Sequence, residues 1–149
     1  MSEQLDTPTP TLHIIKLSVG TGSIEDLARW QDFRREETGS EHNRHLTRNF
    51  PRRGEEILAS GGCMFWVIKG VILARQRIVD FQAIENAEAG RRCAIVLDPE
   101  LIPTVPRAHR PFQGWRYYKQ EDAPPDLNGS DTDALPPELA EELRVLGLL

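Results

Sequence analysis

Cys63-Met-Phe-Trp-Val-Ile-Lys-Gly-Val-Ile-Leu-Ala-Arg-Gln-Arg-Ile78 is the most continuous apolar and β-branched run in the chain. Evenly apolar and rich in Val and Ile, it reads as buried strand rather than as one face of a helix. Lys69-Gly70 is its one break, which predicts two strands joined by a tight turn, the second running on to Ile84. Along that second strand Arg75 and Arg77 share a face, with Cα atoms ~7 Å apart, while Gln76 points the other way among Ile72, Ala74 and Ile78. A buried Gln must find hydrogen-bond partners, so Gln76 either fixes a polar contact in the core or lines a pocket.

Downstream, a turn over Asn86 to Gly90 leads to the apolar strand Arg92-Cys-Ala-Ile-Val-Leu97, closed by Asp98-Pro99. Three successive strands predict an antiparallel meander. Pro99, Pro103, Pro106 and Pro111 predict a long extended connection, ended by a further strand at Trp115 to Lys119. Upstream, Leu12 to Val19 reads as a first strand stopped by Gly20 and Gly22. Ser23 with Asp26 three residues on signals a helix start, and Ile24, Leu27, Trp30 and Phe33 recur at helical spacing, which predicts a helix over 24–36. Thr38 to Asn49 lacks apolar periodicity and reads as loop; Pro51 and Gly61-Gly62 frame a short second helix over Pro51 to Ala59.

The expected architecture is α+β: a mostly antiparallel sheet or small open barrel of about five strands, two helices before the main strands, and a C-terminal helix. Residues 1–11 form a polar arm, 12–119 the core domain, 120–134 an acidic linker and 135–149 an amphipathic helix with Leu139, Leu143 and Leu146 on one stripe.

Composition narrows the functional classes. With 149 residues, 39% hydrophobic and 28% charged, the chain supports one ordinary core, which excludes wholesale disorder and a disulfide scaffold. No apolar run approaches the ~20 residues of a membrane span, and the polar start lacks a signal-peptide pattern, so a cytoplasmic protein without membrane partners is expected. Cys63 and Cys93 sit in apolar strands and read as reduced, buried thiols. The net charge of −5 is unevenly spread: residues 29–119 carry 16 basic against 11 acidic side chains, residues 120–149 one basic against eight acidic. Fifteen of the 18 basic residues are Arg, a bias that suits phosphate recognition and that GC-rich coding also produces.

Two familiar motifs fail on inspection. Gly20-x-Gly22 between a strand and a helix suggests a dinucleotide site, but Glu25 and Asp26 place negative charge where the phosphate would lie. His45-Leu-Thr47 has the His-x-Thr form of two-histidine phosphoesterases, yet no second copy exists. His42 and His45 have ligand-like spacing without a third ligand, so neither a metal nor a cofactor is expected.

Three clusters remain. Arg48, Arg52 and Arg53 crowd the predicted start of the second helix, where an anion would be favoured; local neutralisation by Glu55 and Glu56 is the structural alternative. Arg75 and Arg77, with Lys69 across the hairpin, have the spacing of neighbouring phosphates or else form a solvent-facing pair. Trp115, Arg116 and Tyr117 interleave cations with aromatic faces that could stack bases or pack in the core. The leading expectation is a nucleic-acid or nucleotide (phosphate) binding module in which Arg48, Arg52, Arg53, Arg75 and Arg77 form one face beside Trp115 and Tyr117. The alternatives are an enzyme acting on a phosphorylated or anionic small molecule in a pocket of His45, Arg48 and Arg75 beside Gln76, and an interaction domain using the C-terminal helix.

The blocks His13-Ile-Ile-Lys-Leu-Ser-Val-Gly20, Thr47-Arg-Asn-Phe-Pro-Arg-Arg53, Phe65-Trp-Val-Ile-Lys-Gly70 with Ala74-Arg-Gln-Arg-Ile78, Ala94-Ile-Val-Leu-Asp-Pro-Glu100 and Phe112-Gln-Gly-Trp-Arg-Tyr117 resemble an alphaproteobacterial family of about this length, a domain of unknown function. The resemblance implies a bacterial cytosolic protein and carries no catalytic residue. In layout the chain is also similar to PUA-like barrels, which implies RNA or modified bases as ligands.

Overall fold

A computed structural model describes residues 10–86 and 90–127. Its elements are β1 (Leu12–Leu17), α1 (Ile24–Thr38), β2 (Asn43–Thr47), α2 (Gly54–Ser60), β3 (Cys63–Ile68), β4 (Val71–Asn86), β5 (Gly90–Ala108) and β6 (Trp115–Lys119). They form one open six-stranded sheet in the order β2-β5-β4-β3-β1-β6. The β3–β4–β5 meander is antiparallel as expected, and β1 enters beside β3 in parallel, with β6 antiparallel to it at the edge. The expected C-terminal helix lies outside the described residues.

Local chemistry accounts for the joints. Lys69 and Gly70 both adopt left-handed backbone, with φ of 51° and 80°, the geometry of a tight hairpin turn. The Ser23 hydroxyl accepts from the Asp26 backbone N–H at 3.1 Å and starts α1. At the α2–β3 junction a Cβ on Gly62 would stand 2.0 Å from the Leu12 carbonyl oxygen, so the helix reaches β3 only because residue 62 has no side chain.

Four expectations need correction. The sheet has six strands rather than about five, because β2 occupies the segment read as loop. Its inward residues Asn43, His45 and Thr47 are polar, so it carries none of the apolar alternation that marks a strand. The proline-rich connection is strand as well: β5 runs through Pro99, Pro103 and Pro106, and its register against β4 slips so that Pro99 and Pro106 fall in bulges, where no ladder N–H is needed. Helix α2 starts at Gly54, after the prolyl-arginine stretch rather than within it. On α1 the buried residues are Leu27 and Gln31, whereas Trp30 and Phe33 are each 52% exposed and stack on one another.

The sheet has two covered faces. Leu12, Ile14, Met64, Trp66, Ile68, Leu73 and Ile95 pack beneath Leu27 of α1 and Ile57 of α2. On the other face Ile15, Phe65, Val67 and Ile72 pack against Phe112 and Tyr118. The sheet also curls. In a flat sheet β2 and β3 would be three strand spacings, about 14 Å, apart, yet the rings of His45 on β2 and Trp66 on β3 meet edge to face at 5.5 Å between centroids. The hollow of this curl, roofed by α1, is the cleft described next.

A basic cleft between the first helix and the curled sheet

The floor of the cleft is built from buried polar groups that satisfy one another. Gln76, fully buried, faces Gln31 of α1 in a reciprocal amide pair: Gln31 Nε2 donates to Gln76 Oε1 at 3.0 Å and Gln76 Nε2 donates back to Gln31 Oε1 at 2.7 Å. Gln76 Nε2 also donates to the Asp98 carbonyl at 2.8 Å, and Trp66 Nε1 donates to Gln76 Oε1 at 3.0 Å. Gln76 is therefore a polar contact in the core, the first of the two roles its sequence position left open, and it sets the tilt of the Trp66 indole. Asn43 ties β2 to the same helix, donating to the Gln31 carbonyl at 3.0 Å and accepting from the Arg35 guanidinium.

Above this floor the cleft encloses about 520 Å³, within the range of small-molecule sites. Among the described residues, Lys16, Arg34, His42 and His45 line it and no carboxylate does, while Arg44 borders it from the outward side of β2. Lys16 sits on β1 in register with Trp66 of β3 and Trp115 of β6, all on the helix-covered face. The side chain is partly buried, and burial pushes its ammonium below the usual pKa. Burial, and secondly the charge of Lys16, lower His45 to a pKa of about 4, so the imidazole is neutral at pH 7. Its Nε2 is buried and meets no hydrogen-bond partner among the described residues. At the mouth, Arg34 lies 5.5 Å over the Trp30 ring, whereas Arg44, on the outward side of β2, turns to Gln82 and its Nε donates to the side-chain oxygen at 3.3 Å.

His13 shows what a satisfied histidine looks like in the same protein. Its Nδ1 accepts from the Cys63 backbone N–H at 2.9 Å, which leaves the proton on Nε2 to donate to Gln120 Oε1 at 2.6 Å. Both nitrogens are used and the ring packs edge-on to Phe65. His45 has the opposite character.

The structure does not gather the sequence-predicted arginines on one face. Arg75 and Arg77 share a face as expected, in register with Phe65 and Cys63, but that face lies opposite the helices. Arg75 grips Asp126 through two bonds of 2.7 and 2.8 Å and also contacts Cys63 Sγ at 3.2 Å. Arg77 lies against Gly61, the C-cap of α2, where a cation complements the exposed carbonyls. Arg53 pairs with Glu56 at 2.6 Å and sits 5.5 Å over the Tyr117 ring, and its backbone N–H donates to the Tyr117 hydroxyl. Trp115 and Tyr117 do meet edge to face, at 5.1 Å, with Trp115 packed on the core. Arg116 lies over Phe112, Arg48 and Arg52 are exposed, and Lys69 turns to the start of α1 beside Gly22 and Asp26. Of the expected pocket, His45 lines the cleft and Gln76 supports its floor, whereas Arg48 and Arg75 do not line it.

Lys16, Gln31, Asn43 and Trp66 were not singled out from the sequence. Lys16 did carry a signal: it shares parity with Leu12 and Ile14 in an apolar strand, so a cation at that position faces inward.

A family model described as a protein of unknown function, DUF1489, matches residues 14–149, nearly the whole chain. The chain belongs to that family. No curated protein and no solved structure matches it. The match begins inside β1 and includes every residue of the cleft. Among the described residues no three His, Cys, Asp or Glu side chains are grouped to hold a metal ion, and no helix is long and apolar enough to cross a membrane.

Proposed function

We propose that the cleft under α1 binds a phosphorylated or carboxylated small molecule. The observation that carries this reading is the lining of a 520 Å³ hollow by Lys16 and Arg34 and, among the described residues, by no carboxylate, in a chain whose net charge is −5. Arg34 stands at the mouth over the Trp30 ring without a carboxylate partner among the described residues, so its guanidinium fork is open to an anion. Deeper in, the unpartnered His45 Nε2 offers an uncharged hydrogen-bonding group, and Trp30 gives a flat apolar rim. Nucleic acid on an arginine face finds less support, because Arg53 and Arg75 already hold Glu56 and Asp126.

Isothermal titration of the full chain with pyrophosphate and with AMP at low salt tests the proposal. Replacing Arg34 by Met is expected to weaken binding at least tenfold, about 1.4 kcal/mol, while Arg52→Ala with Arg53→Ala leaves it unchanged. The reverse pattern, with affinity following Arg52 and Arg53, would move the ligand to the arginine face.

A further inference from the structure

The cleft contains an amine whose placement differs from that of every other basic group described. The chain uses Arg at 15 of its 18 basic positions and has only three lysines. Lys69 is exposed at the hairpin tip, and Lys119 is 73% exposed beside Glu121. Lys16 alone is drawn into the hollow, against Trp66 and near His45, with Arg34 of α1 on the same cleft and no carboxylate among its described lining residues. A guanidinium there would serve anion binding as well or better, and it could never present a free electron pair.

We propose that Lys16 is a Schiff-base-forming residue for an anionic carbonyl compound, such as a 2-oxo acid or an aldehyde bearing an anionic group, held in the cleft by Arg34. This rests on the anion-binding reading of the same cleft and adds a reactive group to it. The unprotonated Lys16 Nζ adds to the carbonyl carbon, the C–O π pair passes to oxygen, and a proton moves from nitrogen to oxygen to give a carbinolamine. Loss of water then leaves the imine; nothing is oxidised or reduced. Two features favour the step. Burial shifts the amine toward its nucleophilic form, and no carboxylate among the described residues lines the cleft to hold the proton on it. His45, neutral and with Nε2 unpaired, stands by as the group that carries the proton between nitrogen and the departing oxygen.

The test is reductive trapping of the intact chain. Glyoxylate, the anionic probe, or acetaldehyde, the neutral one, is added with cyanoborohydride, and peptide mapping quantifies the adduct on Lys16, Lys69, Lys119 and the N-terminal amine. The expected result is labelling of Lys16 at least ten times faster than Lys69 and Lys119, faster with glyoxylate than with acetaldehyde, and suppressed by pyrophosphate. Lys16→Arg is expected to abolish the fast adduct while still binding pyrophosphate, and His45→Gln to slow it several-fold. Labelling of Lys16 no faster than of the two exposed lysines, with pyrophosphate still bound, would overturn the Schiff-base assignment and leave the anion site standing. Loss of both labelling and pyrophosphate binding would overturn both.

Discussion

His13 and His45 lie on strands of the same sheet and differ in what their ring nitrogens meet, and this difference has a measurable consequence. His45 is lowered to about 4 by burial and by Lys16, against about 6.5 in the unfolded chain. Between these values the unfolded state binds the proton and the folded state does not, so stability present above pH 6.5 is lost as pH falls through 4. Denaturation of wild type is expected to lose about 3 kcal/mol more between pH 7 and pH 4 than denaturation of His45→Gln. His13, also lowered by burial, contributes equally to both proteins and cancels. Identical losses would show that the His45 environment is not desolvated. Gln76 was legible at this scale as a polar residue inside an apolar strand. Its partners were not, because Gln31 and Trp66 reach it only through the packing of α1 and the pairing of β3.

Elements whose interior is apolar were read from sequence, and those whose interior is polar or broken by proline were not. The β3–β4 hairpin, β1, β6 and α1 follow from apolar runs, turn residues and a cap. Strand β2 escaped because it buries Asn43 and His45, and these are the residues that make the cleft polar; the reading failed where the site is. The Gly61-Gly62 pair was legible as a helix stop, but not the reason for the second glycine. Gly62→Ala is expected to cost about 3 kcal/mol or more in urea denaturation, since the methyl group would overlap the Leu12 carbonyl and part α2 from β1. Gly20→Ala, with positive φ but open space around it, should cost only about 1 kcal/mol. Similar losses at the two positions would show that the α2–β3 junction yields.

At the scale of the whole molecule, the acidic stretch after β6 is more than a counter-charge to the basic body. Residues 120–127 return along β5: Val105 N–H donates to the Pro125 carbonyl and Leu127 N–H to the Pro103 carbonyl, each at 2.8 Å, and the Tyr118 hydroxyl donates to the Asp122 carbonyl. Asp126 adds its bidentate grip on Arg75, a pair partly open to water and so of modest strength. A chain ending at Lys119 is expected to be about 3 kcal/mol less stable than one ending at Leu127, summing a few hydrogen bonds of about 1 kcal/mol each. Equal melting temperatures would reduce this stretch to a passive tail. Its composition gave no sign of these contacts, because most of them are made by backbone.

The place of β1 also governs when the molecule can form. Leu12–Leu17 pairs with β3 on one side and on the other with β6, where Leu12 faces Lys119 at nearly the far end of the described chain. The β3–β4–β5 hairpins close over short loops and assemble early, whereas β1 joins them only through pairs distant in sequence, first with β3 and then with β6. Until β3 is in place, Leu12, Ile14 and Ile15 have no sheet to cover them, so β1 is an apolar segment that a chaperone would bind. The cleft, whose wall includes Lys16, comes into being only once β1 has docked on that meander.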